Sequence, residues 1–390
     1  MQNAPDIQMS AFVAQLDLGD AKGLRVAIKD CLDIADSPTR CGSAAPEGTP
    51  AARGDTDIVQ ALLAAGCHIT DKTRMPALDS GTTKLNAQSG TPVNPMWPDR
   101  IAGGSSAGAA VAVASGAVDF AIGTDTGGSI RQSAICCGVI GFKPSYDQPS
   151  RRSVSPAESS LDCIGPIARS IPMIEAAMTA MDPSFAPTTL TRAPKIARVD
   201  CRFDRRIADS LLFPMMEQGY IVPRVLLQGF DDAYRAEMII SAAETYAAFG
   251  NFLAQDSHLD EDNRARLEAT GKILPADLIW AEAVRRDFSA EIDLLLEDYD
   301  AILTPALPIA PPLLTQAQDP AAILPLTKYL RPINLSGHPA IVLPVKTREN
   351  LPAGLQIIGR KSADAELCAI ASWFCETVPK FKAHDFKAKG

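Results

Sequence analysis

Two glycine-rich segments, each carrying a serine, constrain the fold of this chain more than any other feature. Residues 103–108 read GGSSAG and contain Ser105, and residues 123–131 read GTDTGGSIR and contain Ser129, 24 positions further on. Glycine permits backbone conformations and close approaches that side chains forbid. Such turns can direct backbone N–H groups at a developing negative charge. Both serines are therefore candidates for nucleophilic chemistry.

Regular secondary structure is predicted on either side of both serines. Alternating apolar residues over 24–28 predict a strand that ends near Lys29. A helix of small residues is predicted over 106–115, and a buried strand over 117–123 leads into the second turn. This order of strand, helix and strand indicates an α/β fold.

The remaining periodicity predicts a largely helical segment over 205–300 and short strands towards the end of the chain. One predicted helix is capped by Thr56 and ends at Gly66; the others span 171–181, 233–253, 260–270, 276–298 and 364–378. The predicted strands span 67–70, 301–304, 341–345 and 354–358. Residues 305–325 are predicted to form a proline-rich loop. No stretch resembles a flexible interdomain linker, so residues 1–390 are predicted to form one large domain.

Composition excludes several classes of protein. The chain is 46% hydrophobic and 21% charged, which is typical of a globular protein with a sizeable core. A formal charge of −9 argues against a nucleic-acid binder. No run of about 18 apolar residues predicts a membrane span, and the first residues show neither a basic region nor an apolar stretch. A cytoplasmic location is predicted, and a homodimer remains open.

Cysteine and histidine patterns give no metal motif. The nine cysteines include no CxxC pair, and none of the four histidines lies in HExxH. Reduced cysteines packed as small apolar side chains are predicted. The expected chemistry needs neither a metal nor a cofactor.

Lys29 is the candidate base for a serine nucleophile. Serine needs a base at neutral pH, yet no histidine motif or GxSxG elbow is present. A free lysine has a pKa of about 10.4, so about one in 2,500 is neutral at pH 7, and burial would lower that pKa. The alternatives are an ion pair with Asp30 or a surface charge for Lys29, and helix-capping or turn roles for Ser105 and Ser129.

These three segments together resemble the amidase signature family, whose members use a Ser–Ser–Lys triad. Lys29 in AIKD matches the family lysine, Ser105 in GGSSAG the bridging serine, and Ser129 in GTDTGGSIR the nucleophile. Further matches follow in order at 141–145 (GFKPS), 159–166 (SSLDCIGP), 304–305 (TP) and 334–340 (NLSGHPA). The resemblance covers about residues 20–375.

The resemblance implies a large mixed sheet covered by helices on both faces, with the 205–300 segment walling the substrate pocket. Ser129 would attack the substrate, Ser105 would relay a proton after a cis peptide bond with Gly104, and neutral Lys29 would act as the base. The backbone N–H groups implied to form the oxyanion hole are those of Thr126, Gly127, Gly128 and Ser129. The residues expected to support the site are Gly104, Ser106, Asp125 and Arg131.

The implied reaction is hydrolysis of a carboxylic amide of a small molecule to a carboxylate and ammonia or an amine. Two alternatives stay open: a glutaminase subunit that delivers ammonia to a partner enzyme, and a non-catalytic binding protein on the same fold. Residues 145–149 (SYDQP) depart from the family pattern, which leaves specificity open and makes Tyr146 a candidate substrate contact. Arg331 is a second candidate, for a substrate carboxylate, with a structural role as the alternative.

Overall fold

Eleven strands form one mixed sheet in the computed structural model, which describes residues 4–42, 50–76, 90–254 and 261–381. The strands are β1 Phe12–Gly19, β2 Arg25–Lys29, β3 His68–Thr73, β4 Phe120–Asp125, β5 Ile140–Lys143, β6 Cys163–Ala168, β7 Ile196–Val199, β8 Arg224–Val225, β9 Ala301–Pro305, β10 Ala340–Lys346 and β11 Pro352–Ile358. Their order across the sheet is β1-β3-β2-β4-β6-β5-β10-β11-β9-β7-β8. Parallel pairs join β2 to β3 and β4, and β7 to β8 and β9; the other neighbours are antiparallel.

Helices cover both faces of this sheet. They are α1 Ala4–Met9, α2 Asp57–Ala64, α3 Ala107–Ala114, α4 Ser129–Cys137, α5 Ile171–Met181, α6 Arg205–Glu217, α7 Phe230–Phe249, α8 Glu261–Thr270, α9 Pro275–Asp298, α10 Pro320–Ile323, α11 Arg331–Ser336 and α12 Asp364–Thr377. Val26 and Ile28 of β2 pack with α2, α5, α6 and α12 on one face. Ala27 points to the other face, where α3 and α4 pack, because successive strand residues alternate. On that second face α7, α9 and α11 cover the strands from β10 to β9.

The topology places the two predicted catalytic segments at one edge of the sheet. The parallel strands β2 and β4 pair through Ile28 and Ile122, so their carboxyl ends lie side by side. Lys29 ends β2, and β4 leads through a short turn into α4, which begins at Ser129. Thus a lysine and a serine 100 positions apart in sequence are delivered to the same edge.

Most of the predicted elements are confirmed, and the differences concern short ones. The helix 171–181 has its predicted bounds, and Thr56 caps α2 by accepting a hydrogen bond from the Val59 N–H. The loop prediction for 305–325 was wrong where α10 forms, and the helical segment 205–300 contains β8. Strands β1, β5, β6 and β7 were not predicted. Short fully buried strands such as β5 and β6 lack the alternation of polar and apolar residues that periodicity detects.

No helix within the described residues is long and apolar enough to cross a membrane.

Ile341→Ala is expected to lower the free energy of unfolding by about 2–5 kcal/mol, because its side chain is fully buried in the interior strand β10. Ile221→Ala is the matched control: the same change at a side chain that is 95% exposed should cost less than about 0.5 kcal/mol. Equilibrium unfolding in urea measures both. Equal losses of unfolding free energy in the two variants would contradict the interior position of β10.

Candidate active site

Lys29 and Ser105 form a buried hydrogen-bonded pair. The Lys29 Nζ donates to Ser105 Oγ at 2.7 Å and to Thr124 Oγ1 at 2.6 Å. Lys29 is fully buried and Ser105 is 2% exposed. The neighbouring Asp30 pairs with Lys72, whose Nζ lies 3.3 Å from Asp30 Oδ1. Two of the three residues predicted to act together are therefore in direct contact, and Lys29 does not lie on the surface.

The Gly104–Ser105 peptide bond is cis, which confirms that prediction. The turn that contains it packs tightly: a Cβ on Gly103 would lie 2.7 Å from the Ser133 Cα, and φ at Gly103 is +82°. Only glycine tolerates both conditions. Next to Ser105, the buried Ser106 Oγ donates to the Thr124 carbonyl at 3.0 Å. Ser106 thus connects the first turn to the end of β4.

Ser129 lies at the start of α4 and is partly exposed, unlike Lys29 and Ser105. The N-cap position belongs to Gly128, so Ser129 does not cap the helix. The first N–H groups of a helix have no intrahelical acceptor and point outward with the positive end of the helix dipole. This partial exposure at a helix N-terminus suits a nucleophile whose attack on a carbonyl creates an oxyanion.

A fully buried ion pair between Asp125 and Arg131 holds the turn before Ser129. Arg131 donates to Asp125 from Nη2 at 2.7 Å, from Nε at 3.0 Å and from its backbone N at 3.2 Å. Asp125 Oδ1 also accepts the Gly128 N–H at 2.8 Å. Burial by itself would raise the pKa of Asp125, but Arg131 and its other donors lower it to about 2. These bonds join Asp125 and Arg131 to the backbone of the turn.

The hydrogen bond from Gly128 bears on the predicted oxyanion hole. Its N–H is engaged by Asp125 and is not available to a substrate in this arrangement. The oxyanion-hole prediction therefore rests on the N–H groups of Thr126, Gly127 and Ser129.

Side-chain contacts connect the turn to two more distant segments. Thr126 Oγ1 donates to Asp162 Oδ1 at 2.9 Å, and Arg151 binds the other oxygen of that carboxylate at 2.9 and 3.1 Å. Asn334 Nδ2 donates to the Asp125 carboxylate at 3.0 Å and to the Leu161 carbonyl at 3.4 Å. The segments around 160 and 335 are thus fixed against the catalytic turn.

Arg331 lies directly against the turn. A Cβ on Gly127 would be 2.8 Å from the Arg331 Nη1 and 3.1 Å from Glu237 Oε1. However, Arg331 already forms an ion pair with Glu237, which is fully buried, and its Nε donates to Thr327 Oγ1 at 3.1 Å. Because Glu237 compensates its charge, this contact does not favour the predicted recognition of a substrate carboxylate by Arg331.

Tyr146 lines an open cavity of about 390 Å³. Ser160, Arg285, Ser336 and Gly337 line the same cavity. The Tyr146 hydroxyl donates to the Ser159 carbonyl at 3.0 Å, and its N–H donates to the Gly337 carbonyl at 3.0 Å. The predicted substrate contact at Tyr146 therefore lies in a cavity of suitable size for a small ligand.

Several residues at or near the site received no role from the sequence. Thr124 and Asn334 stand within or beside recognised motifs, so the motifs themselves could have indicated them. Glu237 and Arg285 lie on long helices, where charged residues ordinarily face solvent. No local signal distinguishes them.

Within the described ranges, no group of three or more His, Cys, Asp or Glu side chains is arranged to hold a metal ion.

Comparison with known proteins identifies the family. The family model described as Amidase matches residues 6–200 and 216–368. The chain is 30% identical to a glutamyl-tRNA(Gln) amidotransferase subunit from Pseudothermotoga lettingae, over 95% of this chain and 90% of that protein. It is 29% identical to a fatty acid amide hydrolase of Medicago truncatula, over 90% of this chain and 64% of that protein. A crystal structure of an amidase superposes with a TM-score of 0.86 at 26% identity, covering 96% and 94% of the two chains.

The chain therefore belongs to the amidase family, the amidase signature enzymes that the motifs around both serines predicted. The predicted α/β fold with a mixed sheet covered by helices is confirmed. It is an amide-hydrolysing enzyme.

Gly128→Ala is expected to slow the reaction of Ser129 with a fluorophosphonate by about 100-fold, because a misplaced turn loses reactive geometry. An alanine Cβ there would lie 2.6 Å from the Leu330 Cβ, at a φ of +109°. Gly219→Ala is the matched control, since Gly219 has a φ of +80° but nothing within 4 Å. It should lose about 1–2 kcal/mol of stability and keep its labelling rate. Equal labelling rates in both variants would refute the packing argument.

Proposed function

We propose that this enzyme hydrolyses the C–N bond of a carboxylic amide to a carboxylate and ammonia or an amine, through an acyl-enzyme on Ser129. The observation that carries the proposal is the buried contact of 2.7 Å between Lys29 Nζ and Ser105 Oγ, at the sheet edge where α4 presents the partly exposed Ser129. An acyl transfer that uses no histidine requires a base, a hydroxyl that relays the proton and an accessible hydroxyl that attacks the substrate.

Protons move from Ser129 towards Lys29 as the nucleophile attacks. Ser129 Oγ bonds to the amide carbon and gives its proton to Ser105 Oγ, which passes its own proton to neutral Lys29 Nζ. The tetrahedral intermediate then collapses: the C–N bond breaks, and Ser105 protonates the departing nitrogen while recovering a proton from Lys29. Water repeats the sequence on the acyl-enzyme and releases the carboxylate.

Burial favours the neutral lysine that this relay needs. A fully buried ammonium loses its hydration, which disfavours the charged form. The hydroxyl groups of Ser105 and Thr124 can each accept a hydrogen bond from a neutral amine, and Ser105 can also donate to its lone pair. The 2.7 Å distance between Lys29 Nζ and Ser105 Oγ is thus suited both to the hydrogen bond in the resting enzyme and to the proton transfer.

The oxyanion of the intermediate is proposed to bind the N–H groups of Thr126, Gly127 and Ser129. The dipole of α4 adds a positive potential at the same point. Each such donor typically contributes about 3–4 kcal/mol to transition-state stabilisation. The absent side chain of Gly127 leaves room for the Arg331 guanidinium, whose Nη1 would lie 2.8 Å from a Cβ at that position.

A glutaminase that supplies ammonia to a partner enzyme is the second candidate. It is supported by the relative in Pseudothermotoga lettingae, which by its name belongs to a glutamyl-tRNA(Gln) amidotransferase. The net charge of −9 disfavours tRNA as a direct partner of this chain. Ammonia release by the isolated chain from primary amides, aryl amides, ureas and glutamine separates the two functions. A cytoplasmic location and a homodimer stay predictions.

Ser129→Ala is expected to abolish amide hydrolysis and fluorophosphonate labelling, because the nucleophile is lost. Ser133→Ala is the matched control: Ser133 lies one turn further along α4, and its buried hydroxyl has no partner in the described part of the chain. That variant should keep both activities. Mass spectrometry locates the adduct, and an adduct on a residue other than Ser129 would contradict the assignment of Ser129 as the nucleophile.

Lys29→Arg is expected to lose essentially all activity, because arginine cannot give up its proton at working pH. In the wild type the rate should rise with pH, since deprotonation of Lys29 creates the active form. Lys72→Arg is the control at a second buried lysine, whose Nζ lies 3.3 Å from Asp30 Oδ1 and which has no part in the proposed relay. It should keep the rate and its pH profile. Near-normal turnover by Lys29→Arg would rule out the proposed base.

A further inference from the structure

The catalytic turn, residues 126–129, is closed beside Gly127 by an ion pair between two helices. Glu237 lies on α7, and Arg331 begins α11, 94 positions further along the chain. Arg331 Nη1 donates to Glu237 Oε2. A Cβ on Gly127 would lie 2.8 Å from Arg331 Nη1, 2.9 Å from its Cζ and 3.1 Å from Glu237 Oε1, the three nearest atoms outside the adjacent residues. The pair therefore forms the wall of the turn at Gly127.

This wall, rather than the backbone conformation, explains the glycine at position 127. Gly103 and Gly128 have a positive φ, which side chains rarely adopt, but Gly127 does not. Its φ would therefore admit alanine, and the closest obstacles to a methyl group are the guanidinium and the carboxylate. The backbone of the turn is thus in direct contact with the ion pair.

Glu237 occupies its position at a cost in stability. Its side chain is fully buried, and its Oε1 accepts no hydrogen bond within the described part of the chain. Burial raises the pKa of Glu237, and Arg331 opposes that rise. A buried carboxylate with an unsatisfied oxygen is costly, and an apolar side chain at the same position would cost less. The stability of α7 therefore does not account for the carboxylate.

Arg331 is held in place at the turn by two hydrogen bonds. Its Nε donates to Thr327 Oγ1 at 3.1 Å, and its Nη1 donates to Glu237. Its Cζ lies 6.0 Å from the centre of the Tyr234 ring, and the side chain is 19% exposed. Because Glu237 compensates its charge, the loss of that carboxylate would leave a full positive charge against Gly127.

The other charged groups near this pair have partners of their own. Asp125 forms its fully buried pair with Arg131. Glu244, also on α7, accepts three hydrogen bonds from two serines. Lys328 pairs with Asp231, which is 81% exposed. Each of these carboxylates is engaged, and Glu237 is the one that compensates Arg331.

The charges on the neighbouring elements also occur in pairs. On α9, Arg285 lies 3.5 Å from Glu282. Beside the base, Lys72 lies 3.3 Å from Asp30, which follows Lys29 in the chain. Removing a single carboxylate from this set would therefore create a net positive charge near the reacting groups.

We infer that Glu237 is a positioning residue for the reaction, which holds the Arg331 guanidinium against Gly127 and cancels its positive charge at the catalytic turn. The inference rests on the proposed function, because it takes Lys29 as the base. Glu237 acts through Arg331 rather than on the substrate. A positive charge left at the turn would disfavour the protonated form of Lys29 that the relay has to produce.

The test measures the rate of fluorophosphonate labelling of Ser129 as a function of pH. Glu237→Gln removes the charge and keeps the shape of the side chain. The uncompensated charge of Arg331 should favour neutral Lys29, so the rising limb of the profile should move to lower pH. The expected shift is about 0.5–1 pH unit, the effect of a unit charge about 10 Å away at an effective dielectric constant of about 20–40.

Two further variants separate charge from structure. Glu237→Gln/Arg331→Met removes both charges, so its limb should return to within about 0.2 pH unit of the wild type. Asp232→Asn is the matched control, since it removes the same charge from the same helix at a side chain that is 59% exposed and lies 3.6 Å from Arg235. Solvent screens that charge, and the limb should again move by less than about 0.2 pH unit.

Should Glu237→Gln fail to unfold cooperatively in urea, Gly127→Ala tests the same contact through its geometry. Its methyl group would meet the guanidinium, so labelling should slow by about tenfold or more when the rest of the chain is wild type. In the Glu237→Gln/Arg331→Met background, the flexible methionine can yield. There the same change should slow labelling by less than about threefold.

A limb that does not move in Glu237→Gln, or that moves equally in Asp232→Asn, would overturn the inference and leave Glu237 a structural role. A shift that persists in Glu237→Gln/Arg331→Met would overturn it too, because Arg331 would not be its source. So would equal slowing by Gly127→Ala in both backgrounds. A wild-type profile without a rising limb, or one that Lys29→Arg retains, would instead overturn the proposed function, and this inference with it.

Discussion

The buried ion pair between Asp125 and Arg131 is the interaction on which the catalytic turn depends. The Asp125 carboxylate accepts five hydrogen bonds, from Gly128, Asn334 and three nitrogens of Arg131. The guanidinium also donates to Gln356, Asn334 and the Leu330 carbonyl. Buried ions are costly unless every polar atom is satisfied. The hydrogen bonds that satisfy this ion pair come from β4, α4, α11 and β11, and they fix the positions of these four elements relative to one another.

That arrangement explains why residues 126–129 adopt their conformation. The carboxylate holds the Gly128 N–H, Leu330 closes the space beside its Cα, and Arg331 with Glu237 closes the space beside Gly127. The turn is bounded on these sides by atoms that belong to rigid helices and strands. A preorganised set of N–H groups reorganises little as charge develops, which is the basis of oxyanion stabilisation.

The chain's sequence predicted the fold class and the catalytic segments, because both are encoded locally. Glycine and serine at fixed spacing identify the turns, and strand alternation puts Lys29 at the end of β2. Its contact with Ser105 spans 76 positions and depends on strand pairing, which periodicity does not reveal. Only the family resemblance supplied it.

For the same reason, the sequence could not predict which arginines are paired with a carboxylate. Arg331 was a candidate for binding a substrate carboxylate, with a structural role as the alternative. Its partner Glu237 lies 94 positions away on α7, in a pattern that looks like an ordinary helix. Arg285 has no motif of its own. Whether an arginine is neutralised or available depends on which helix packs beside it, and that is a tertiary property.

The pairing of charges around the turn has a chemical consequence. Arg131, Arg151 and Arg331 are each neutralised by a buried carboxylate, so they contribute little net field at Ser129. A strong uncompensated positive charge there would stabilise the oxyanion, but it would also raise the cost of protonating Lys29 during the relay. Aligned peptide dipoles act over a shorter range than a full charge. The peptide dipoles at the start of α4 can therefore stabilise negative charge near Ser129 without a net positive charge that would oppose protonation of Lys29.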